Sequence, residues 1–217
     1  MMNQTELQAG FWRNALRSAE AMALDLGEEC YSYQQLAGAA AAIAGEISAG
    51  LSPDSQTVVG IWGEKDFTAY SAVLGILSAG HIYAPLGVKF PIPRLQNIIG
   101  QTQMGVLIVS PSQFDKLPKL LAGQAGKHII TLEPVAEEIR QQCTGHRFTA
   151  IDLTARAINL AAFAAKTPEQ TGPLAYLLFT SGSTGTPKGV PISHRNACAY
   201  VENINQQIAF AAEDRSR

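Results

Sequence analysis

The 217-residue sequence lacks the features that identify several large classes of protein. Charged residues make up only 16% of it, the net charge is −2, and no basic face for a nucleic acid is visible. No apolar run approaches the roughly 20 residues that cross a bilayer. The first residues contain no basic segment followed by an apolar one, as a secretory signal would. We therefore expect a soluble, cytoplasmic protein that binds neither nucleic acid nor membrane.

Cysteine is also scarce, with only Cys30, Cys143 and Cys198 in the whole chain. Their odd number and wide spacing argue against a disulfide scaffold and favour reduced thiols. One spacing, Cys143-x-x-His146, is compatible with two metal ligands. Zinc sites usually need four ligands, so we predict no metal site in this chain.

What the sequence does contain is a regular alternation of short apolar runs with segments of helical periodicity. Hydrophobic residues make up 47% of the chain, enough to build a core. Strands are expected at 57–62, 82–85, 106–109, 128–131 and 174–179, after a small hairpin formed by 23–26 and 30–32. Helices are expected at 7–22, 36–47, 67–77, 94–103, 112–121 and from 193 to about 210. The stretch 133–170 mixes a helical piece with loop. This order predicts an α/β fold with a largely parallel sheet flanked by helices on both faces.

Several residues indicate where individual helices begin and end. Ser32 precedes Gln35 by three positions, which is the pattern of a capping box. Asp66 and Ser193 are suited to cap the helices that follow them. Gly50 stands where a glycine commonly ends a helix. No repeat or linker divides the chain, so we treat residues 1–217 as one domain or part of one.

One segment carries the chemistry, and it directly follows the apolar run 174–179. Its glycines allow the backbone to approach a ligand, and successive backbone N–H groups can form an anion-binding nest. Hydroxyl groups and one lysine add donors suited to phosphate oxygens. The candidate phosphate-binding residues are Thr180, Ser181, Gly182, Ser183, Thr184, Gly185 and Lys188. A flexible surface loop of small residues is the alternative. The spacing differs from a Walker P-loop, and an extended segment rather than a helix is expected after Pro187.

Residues 174–190 resemble the signature loop of adenylate-forming enzymes, which include amino-acid adenylation domains, acyl-CoA synthetases and luciferases. Two weaker matches precede it in the family's order, at 31–36 and at 77–86. Pro91, Arg94 and Leu95 continue the second match, which is most like an amino-acid adenylation domain of nonribosomal peptide synthetase type. The sequence departs from the family at 87–89, where an acidic residue is usual.

The resemblance implies the incomplete N-terminal subdomain of the acyl-adenylate-forming ligase fold and a reaction with ATP and Mg²⁺. The family joins a carboxylic acid, here an amino acid, to AMP with release of pyrophosphate. The acyl group then passes to the phosphopantetheine thiol of a carrier protein. The matching loop holds the β- and γ-phosphates, so the residues from Thr180 to Lys188 given above take that role by resemblance.

The later motifs of the family are absent from this sequence. Thr144-Gly145-His146 is the nearest approach to its threonine-glycine-aspartate motif, and the C-terminal subdomain with the catalytic lysine is missing. We therefore assign no catalytic residue and expect a truncated chain, by nature or by design, that is inactive alone. Surfaces exposed by truncation would favour a homodimer.

Two other functions remain open at this stage. An acyl-CoA synthetase fragment would act on a fatty or aryl acid, and a non-catalytic module would bind a nucleotide or a partner. Outside the loop, ordinary structural roles are expected. We predict that His194 is structural, that Trp12 and Trp62 belong to the core, and that Tyr200 lies on a helix.

Overall fold

The computed structural model describes residues 6–52, 54–154, 159–166, 172–181 and 187–208. In these ranges strands and helices alternate along the chain, as the sequence predicts. The strands are β1 Met22–Asp25, β2 Cys30–Ser32, β3 Val58–Trp62, β4 Ile82–Leu86, β5 Val106–Val109, β6 His128–Thr131, β7 Arg147–Ala150, β8 Leu174–Ser181 and β9 Pro187–Ser193. The helices are α1 Ala9–Arg17, α2 Tyr33–Gly50, α3 Phe67–Ser78, α4 Ile92–Thr102, α5 Leu117–Leu121, α6 Glu137–Gln142, α7 Leu160–Lys166 and α8 His194–Ile208.

Seven strands form one sheet in the order β7-β6-β5-β3-β4-β8-β9, and β1 pairs with β2 in the predicted hairpin. Among the described residues, six strands of the large sheet run parallel, and only β9 is antiparallel to its neighbour. The predicted α/β class with a largely parallel sheet flanked by helices is therefore confirmed. Within the described part, β7 and β9 are the outermost strands. Dimerisation through such exposed surfaces stays a prediction.

The sheet is buried on both faces by separate layers of helices. On one side, Leu107 packs in a cluster with residues of α4 and α5, including Leu95 and Leu120. On the other side, Ile108 packs with residues of α2 and α3, including Ile43 and Ile76. We call these two sides the α4 face and the α3 face. Continuous apolar runs such as Val106–Val109 are expected when both faces are covered, because successive side chains point to opposite sides.

Close packing of α2 on α3 requires a glycine at one point. A Cβ atom added to Gly75 would lie 2.8 Å from both the carbonyl oxygen of Ala40 and a methyl carbon of Ile43. The neighbouring α1 is tied to the end of α3 by buried Trp12, whose indole N–H donates to the Ser78 hydroxyl at 2.8 Å. Trp62 is likewise buried, so both tryptophans are confirmed as core residues.

The helix-start signals in the sequence are also confirmed. The Gln35 N–H donates to the Ser32 hydroxyl at 3.2 Å, and the Ser32 N–H donates to the Gln35 side chain at 2.9 Å. Asp66 accepts from the Ala69 N–H at 2.8 Å. The expected role of Gly50 is wrong. This glycine is the last helical residue, and its φ is not in the left-handed region.

Two other expectations need correction. The single helix expected at 112–121 is a 3₁₀ helix, Pro111–Lys116, followed by the short α5. Pro118 has no N–H for a bond to the preceding turn, so one continuous α-helix cannot form. In the stretch 133–170, the strand β7 was missed because Phe148 is the only large apolar residue among its four. No helix in the described ranges is long and apolar enough to span a membrane.

Candidate phosphate-binding site

The candidate site lies at the carboxyl end of β8, where the parallel sheet meets its one antiparallel strand. Tyr83 of β4 pairs with Tyr176 of β8, so both strands end at the same edge of the sheet. In open α/β sheets, ligands bind in the crevice outside the carboxyl ends of the strands. The apolar strand that the sequence places before the loop therefore delivers the loop to the ligand-binding edge.

Two candidate residues are brought together by the β8–β9 pairing. Thr180 lies directly opposite Lys188, and Ser181 lies opposite Pro187. Opposed residues of an antiparallel pair have Cβ atoms about 4.5–5.5 Å apart and share one face of the sheet. Thr180 and Lys188 are both exposed. A residue with a hydroxyl group and a residue with an ammonium group thus lie directly opposite each other, which allows both to donate to the same phosphate.

Four candidate residues, Gly182, Ser183, Thr184 and Gly185, lie outside the described residues, so their role stays a prediction. The segment after them is described. Pro187–Ser193 is extended, as the sequence predicts, and the helix α8 begins only at His194. No helix N-terminus therefore follows the loop directly, unlike in a Walker P-loop.

The β8 strand of the hairpin is packed on both faces of the sheet. Leu177 and Phe179 point to the α4 face and pack against its core cluster. On the other side, Tyr176 stacks on Tyr83 with ring centroids 5.0 Å apart. Burial raises the pKa of the Tyr83 hydroxyl to about 12, so it remains protonated near neutral pH. The exposed donors at the end of the hairpin are thus carried by a strand that is packed on both sides.

A glycine in β9 leaves room for the packing of the β8 strand. Gly189 lies opposite Phe179, and a Cβ atom at Gly189 would come within 3.2 Å of the Phe179 ring. That distance is tighter than an ordinary packing contact, so a larger residue would displace the ring. The glycine next to Lys188 therefore has a packing role that the sequence alone does not reveal.

His194 is placed by the structure as a buried residue that supports the backbone. Its Nδ1 accepts the Leu7 N–H at 3.2 Å, which joins the start of α8 to the segment before α1. Burial lowers the pKa of His194, so the neutral ring is favoured. This position supports the predicted structural role.

The remaining candidates stand apart from the hairpin. Cys143 is buried in the α4-face cluster, and His146 accepts the Lys127 N–H at 3.1 Å. In the part of the chain that the structure describes, no three His, Cys, Asp or Glu side chains are arranged to hold a metal ion. Tyr200 is 68% exposed on the surface of α8.

A cavity of about 420 Å³ is also separate from the hairpin. It lies beside the N-termini of α2 and α3, and residues such as Tyr31, Phe67 and Leu160 line it. The residues that line the cavity include none of β8 or β9, so the cavity does not coincide with the candidate phosphate-binding residues.

One candidate at the same edge was missed as a functional residue. Arg94 was noted only as part of a sequence match, yet it lies in α4, whose N-terminal region follows β4 directly. Its guanidinium carbon lies 4.2 Å from the centroid of the Phe90 ring. The nearby Lys89, also overlooked, is exposed. The sequence did contain a signal for these two residues. A lysine and an arginine follow the end of a strand, and the segment 82–94 contains no acidic residue to neutralise them.

Comparison with known proteins agrees with this geometry. Residues 11–216 match the family model described as AMP-binding enzyme. The chain is 29% identical over 210 residues to indigoidine synthase of Dickeya dadantii (strain 3937), covering 97% of this chain and 13% of that protein. It is 34% identical over 154 residues to nonribosomal peptide synthetase sidN of Epichloe festucae (strain Fl1), covering 71% of this chain and 3% of that protein.

A solved structure shares the fold across nearly the whole chain. The adenylation domain AlmE of Vibrio cholerae, crystallised with glycyl-adenosine-5'-phosphate, superposes with a TM-score of 0.85 at 26% identity. The match covers 99% of this chain and 40% of that one. The chain thus spans a minor part of the length of each of these relatives. The chain belongs to the AMP-binding family of adenylate-forming enzymes, and it corresponds to the N-terminal part of an adenylation domain like those of nonribosomal peptide synthetases.

Proposed function

We propose that this chain supplies the ATP-phosphate-binding part of a ligase that activates an amino acid as its acyl-adenylate. The observation that carries the proposal is the opposed pair Thr180 and Lys188 at the carboxyl edge of the sheet. The candidate donors from Thr180 to Gly185 and Lys188 are proposed to hold the β- and γ-phosphates.

The proposed reaction has two steps. A carboxylate oxygen of the acid forms a bond to the α-phosphorus of ATP, and the bond from that phosphorus to the bridging oxygen breaks. Pyrophosphate leaves with the electron pair. The thiolate of a carrier-bound phosphopantetheine then attacks the acyl carbon, and AMP leaves. In the first step, negative charge grows on the departing pyrophosphate, where Lys188 and backbone donors would stabilise it.

The choice of an amino acid rests on the relatives. AlmE was crystallised with a glycyl adenylate, and sidN is a nonribosomal peptide synthetase. By analogy with these proteins, the complete enzyme would also need a carrier protein as partner. These relatives extend well beyond the matched segment, so we infer that residues 1–217 are the N-terminal portion of the domain and do not complete the reaction alone.

The proposed binding of Mg²⁺ does not depend on the residues that bind the phosphates. The described candidate donors are a hydroxyl group and an ammonium group, and the ammonium group suits phosphate oxygens and not a cation. The described residues provide no cluster of three metal-binding side chains. We therefore assign Mg²⁺ no ligand among the described residues and expect it to arrive bound to ATP.

A calorimetric titration of the chain with Mg·ATP tests the proposal. Lys188→Ala should weaken binding by about 1.5–3 kcal/mol, because it removes a charge-assisted contact. Lys119→Ala removes an equally exposed lysine from α5 and should leave the affinity unchanged. Equal binding by the wild type and Lys188→Ala would contradict the proposed role of the hairpin. No binding by either protein would contradict the proposal that residues 1–217 hold the phosphates by themselves.

The substrate class is tested on a chain extended by the missing part of the domain. ATP–pyrophosphate exchange should be stimulated by one or a few amino acids. Exchange with fatty or aryl acids only would indicate an acyl-CoA synthetase instead. No exchange with any acid, together with measurable nucleotide binding, would favour a non-catalytic binding module.

A further inference from the structure

Positive charge is concentrated in two segments beside the hairpin, at the carboxyl ends of β4 and β8. Over the whole chain, acidic residues outnumber basic ones by 18 to 16. The two neighbouring segments 82–94 and 174–193 nevertheless contain Lys89, Arg94 and Lys188 and no aspartate or glutamate. Three like charges without a counter-charge in their own segments favour an anion at the surface that these two segments share.

The geometry brings the second segment's hairpin next to the beginning of α4. Tyr83 pairs with Tyr176, and continuing this parallel register by three residues places Leu86 level with Phe179. The turn after β4 therefore begins beside the end of β8. In addition, α4 contacts β9, and Phe90 packs against the same core cluster as Phe179.

Arg94 lies at this junction, and no carboxylate among the described residues pairs with its charge. Phe90 holds its guanidinium group through a cation–π contact at 4.2 Å. In the described ranges, the buried Nε of Arg94 has no hydrogen-bond acceptor, and no carboxylate oxygen lies within 4.0 Å of the group.

Two acidic residues at this edge of the sheet follow β3, on the far side of β4. Of these, Asp66 is already engaged as an acceptor for the Ala69 N–H and the Ser110 hydroxyl. Glu64 is exposed in the turn before it. A buried donor without an acceptor is unfavourable, so the site is suited to a ligand that supplies one.

We propose that Arg94 is a second phosphate-binding cation, and that it holds the same phosphate chain as Lys188 from the opposite face of the sheet. Phe179 and Gly189 point to the α4 face, where Arg94 lies, while Thr180 and Lys188 point to the α3 face. An anion at the end of the hairpin would thus be bound between two cations. This inference rests on the proposed binding of ATP phosphates by the hairpin.

The test compares Mg·ATP and inorganic tripolyphosphate as titrants of the wild type, Arg94→Gln and Arg94→Lys. Arg94→Gln should weaken both titrants roughly tenfold or more, because a charge-assisted contact is lost. Arg94→Lys keeps the charge and should restore part of the affinity. Arg17→Gln, which removes an exposed arginine at the end of α1, is the matched control and should bind like the wild type.

The outcomes separate this inference from the proposed function. If Lys188→Ala weakens binding and Arg94→Gln binds within twofold of the wild type, Arg94 has no such role and the hairpin keeps its own. If the wild type binds neither titrant, both ideas are wrong for this chain. Urea unfolding identifies a folding defect in Arg94→Gln. In that case the Arg94→Lys variant is compared with the wild type. Weaker binding by a variant of unchanged stability supports the role of Arg94 in phosphate binding, and unchanged binding contradicts it.

Discussion

The centre of the sheet and the β8–β9 hairpin are built by different rules. Every residue of β5 is buried, and its side chains alternate between the two helix layers. In β9, Pro187 is buried but the next four residues are exposed. Leu178 and Val190, which face each other across the hairpin, are 43% and 42% exposed. The centre of the sheet is stabilised by burial of apolar side chains on both faces. The end of the hairpin is exposed to solvent, and its position depends on the packing of Tyr176, Leu177 and Phe179.

The largest expected effect contrasts one side chain from each region. Leu107→Ala should lower the free energy of unfolding by about 2–5 kcal/mol, because a fully buried leucine leaves a cavity between β5 and α4. Val190→Ala should change it by less than about 0.5 kcal/mol, since that side chain is half-exposed. Urea denaturation of both variants measures the contrast. Similar losses for the two variants would show that the hairpin is as tightly packed as the sheet centre.

A smaller effect is expected from adding one methyl group at a glycine of the sheet centre. A Cβ atom at Gly60 would lie 2.6 Å from a Leu107 methyl carbon and 2.7 Å from the Met104 sulfur. Gly60→Ala should therefore cost about 1–3 kcal/mol through overpacking. Gly38→Ala is the matched control on α2, where no atom lies within 4 Å of the added carbon. It should stabilise the helix by about 0.5–1 kcal/mol, and thermal unfolding that ranks the two variants otherwise would refute this account.

The smallest expected effect is a pH dependence of the free energy of unfolding. It comes from two buried histidines, one beside the centre of the sheet and one beside the β8–β9 hairpin. Burial lowers the pKa of His81, before β4, and of His194, at the start of α8, from 6.5. The unfolded chain therefore binds these protons more readily than the folded one. Each histidine contributes stability that is complete above pH 6.5 and is lost as the pH falls toward its folded-state pKa.

Unfolding experiments between about pH 8 and pH 5.5 measure this loss. His194→Gln retains an acceptor for the Leu7 N–H but cannot be protonated, so it should make stability less dependent on pH. His81→Gln provides the same test for the Thr57 N–H that His81 accepts. A wild-type protein that is more stable at the acidic end of this range would contradict the assignment.

Much of the fold follows from the sequence because local and global signals agree. The capping box at Ser32, the Asp66 cap and the apolar runs of β3 to β6 each specify one structure, and all were predicted correctly. The strand β7 could not be predicted in this way, because an edge strand needs few apolar residues. It gains support from a distant residue instead: Arg147 donates to Glu46 of α2 at 2.7 Å. Periodicity does not report such a contact.

The position of the candidate site could be predicted from the sequence, but the arrangement of its residues could not. Glycines, hydroxyl groups and Lys188 after an apolar strand indicate phosphate binding from composition and position alone. That Thr180 faces Lys188 depends on the register of the hairpin, and the sequence does not give the register. The position of Arg94 depends on the pairing of β4 with β8, which are far apart in the chain. When two residues are brought together only by the pairing of strands, no local pattern in the sequence predicts that they are neighbours.

The order of the strands has a consequence for how the molecule assembles. β3, β4 and β5 are near one another in the chain, and β6 and β7 extend the sheet in sequence. β8 must instead return to β4 across roughly 90 residues, and closing so long a loop delays its pairing. On a ribosome, the central strands would leave the exit tunnel and pair while β8 and β9 were still being made. We therefore expect the β8–β9 hairpin to be added last, onto a sheet edge that stays uncovered until it arrives.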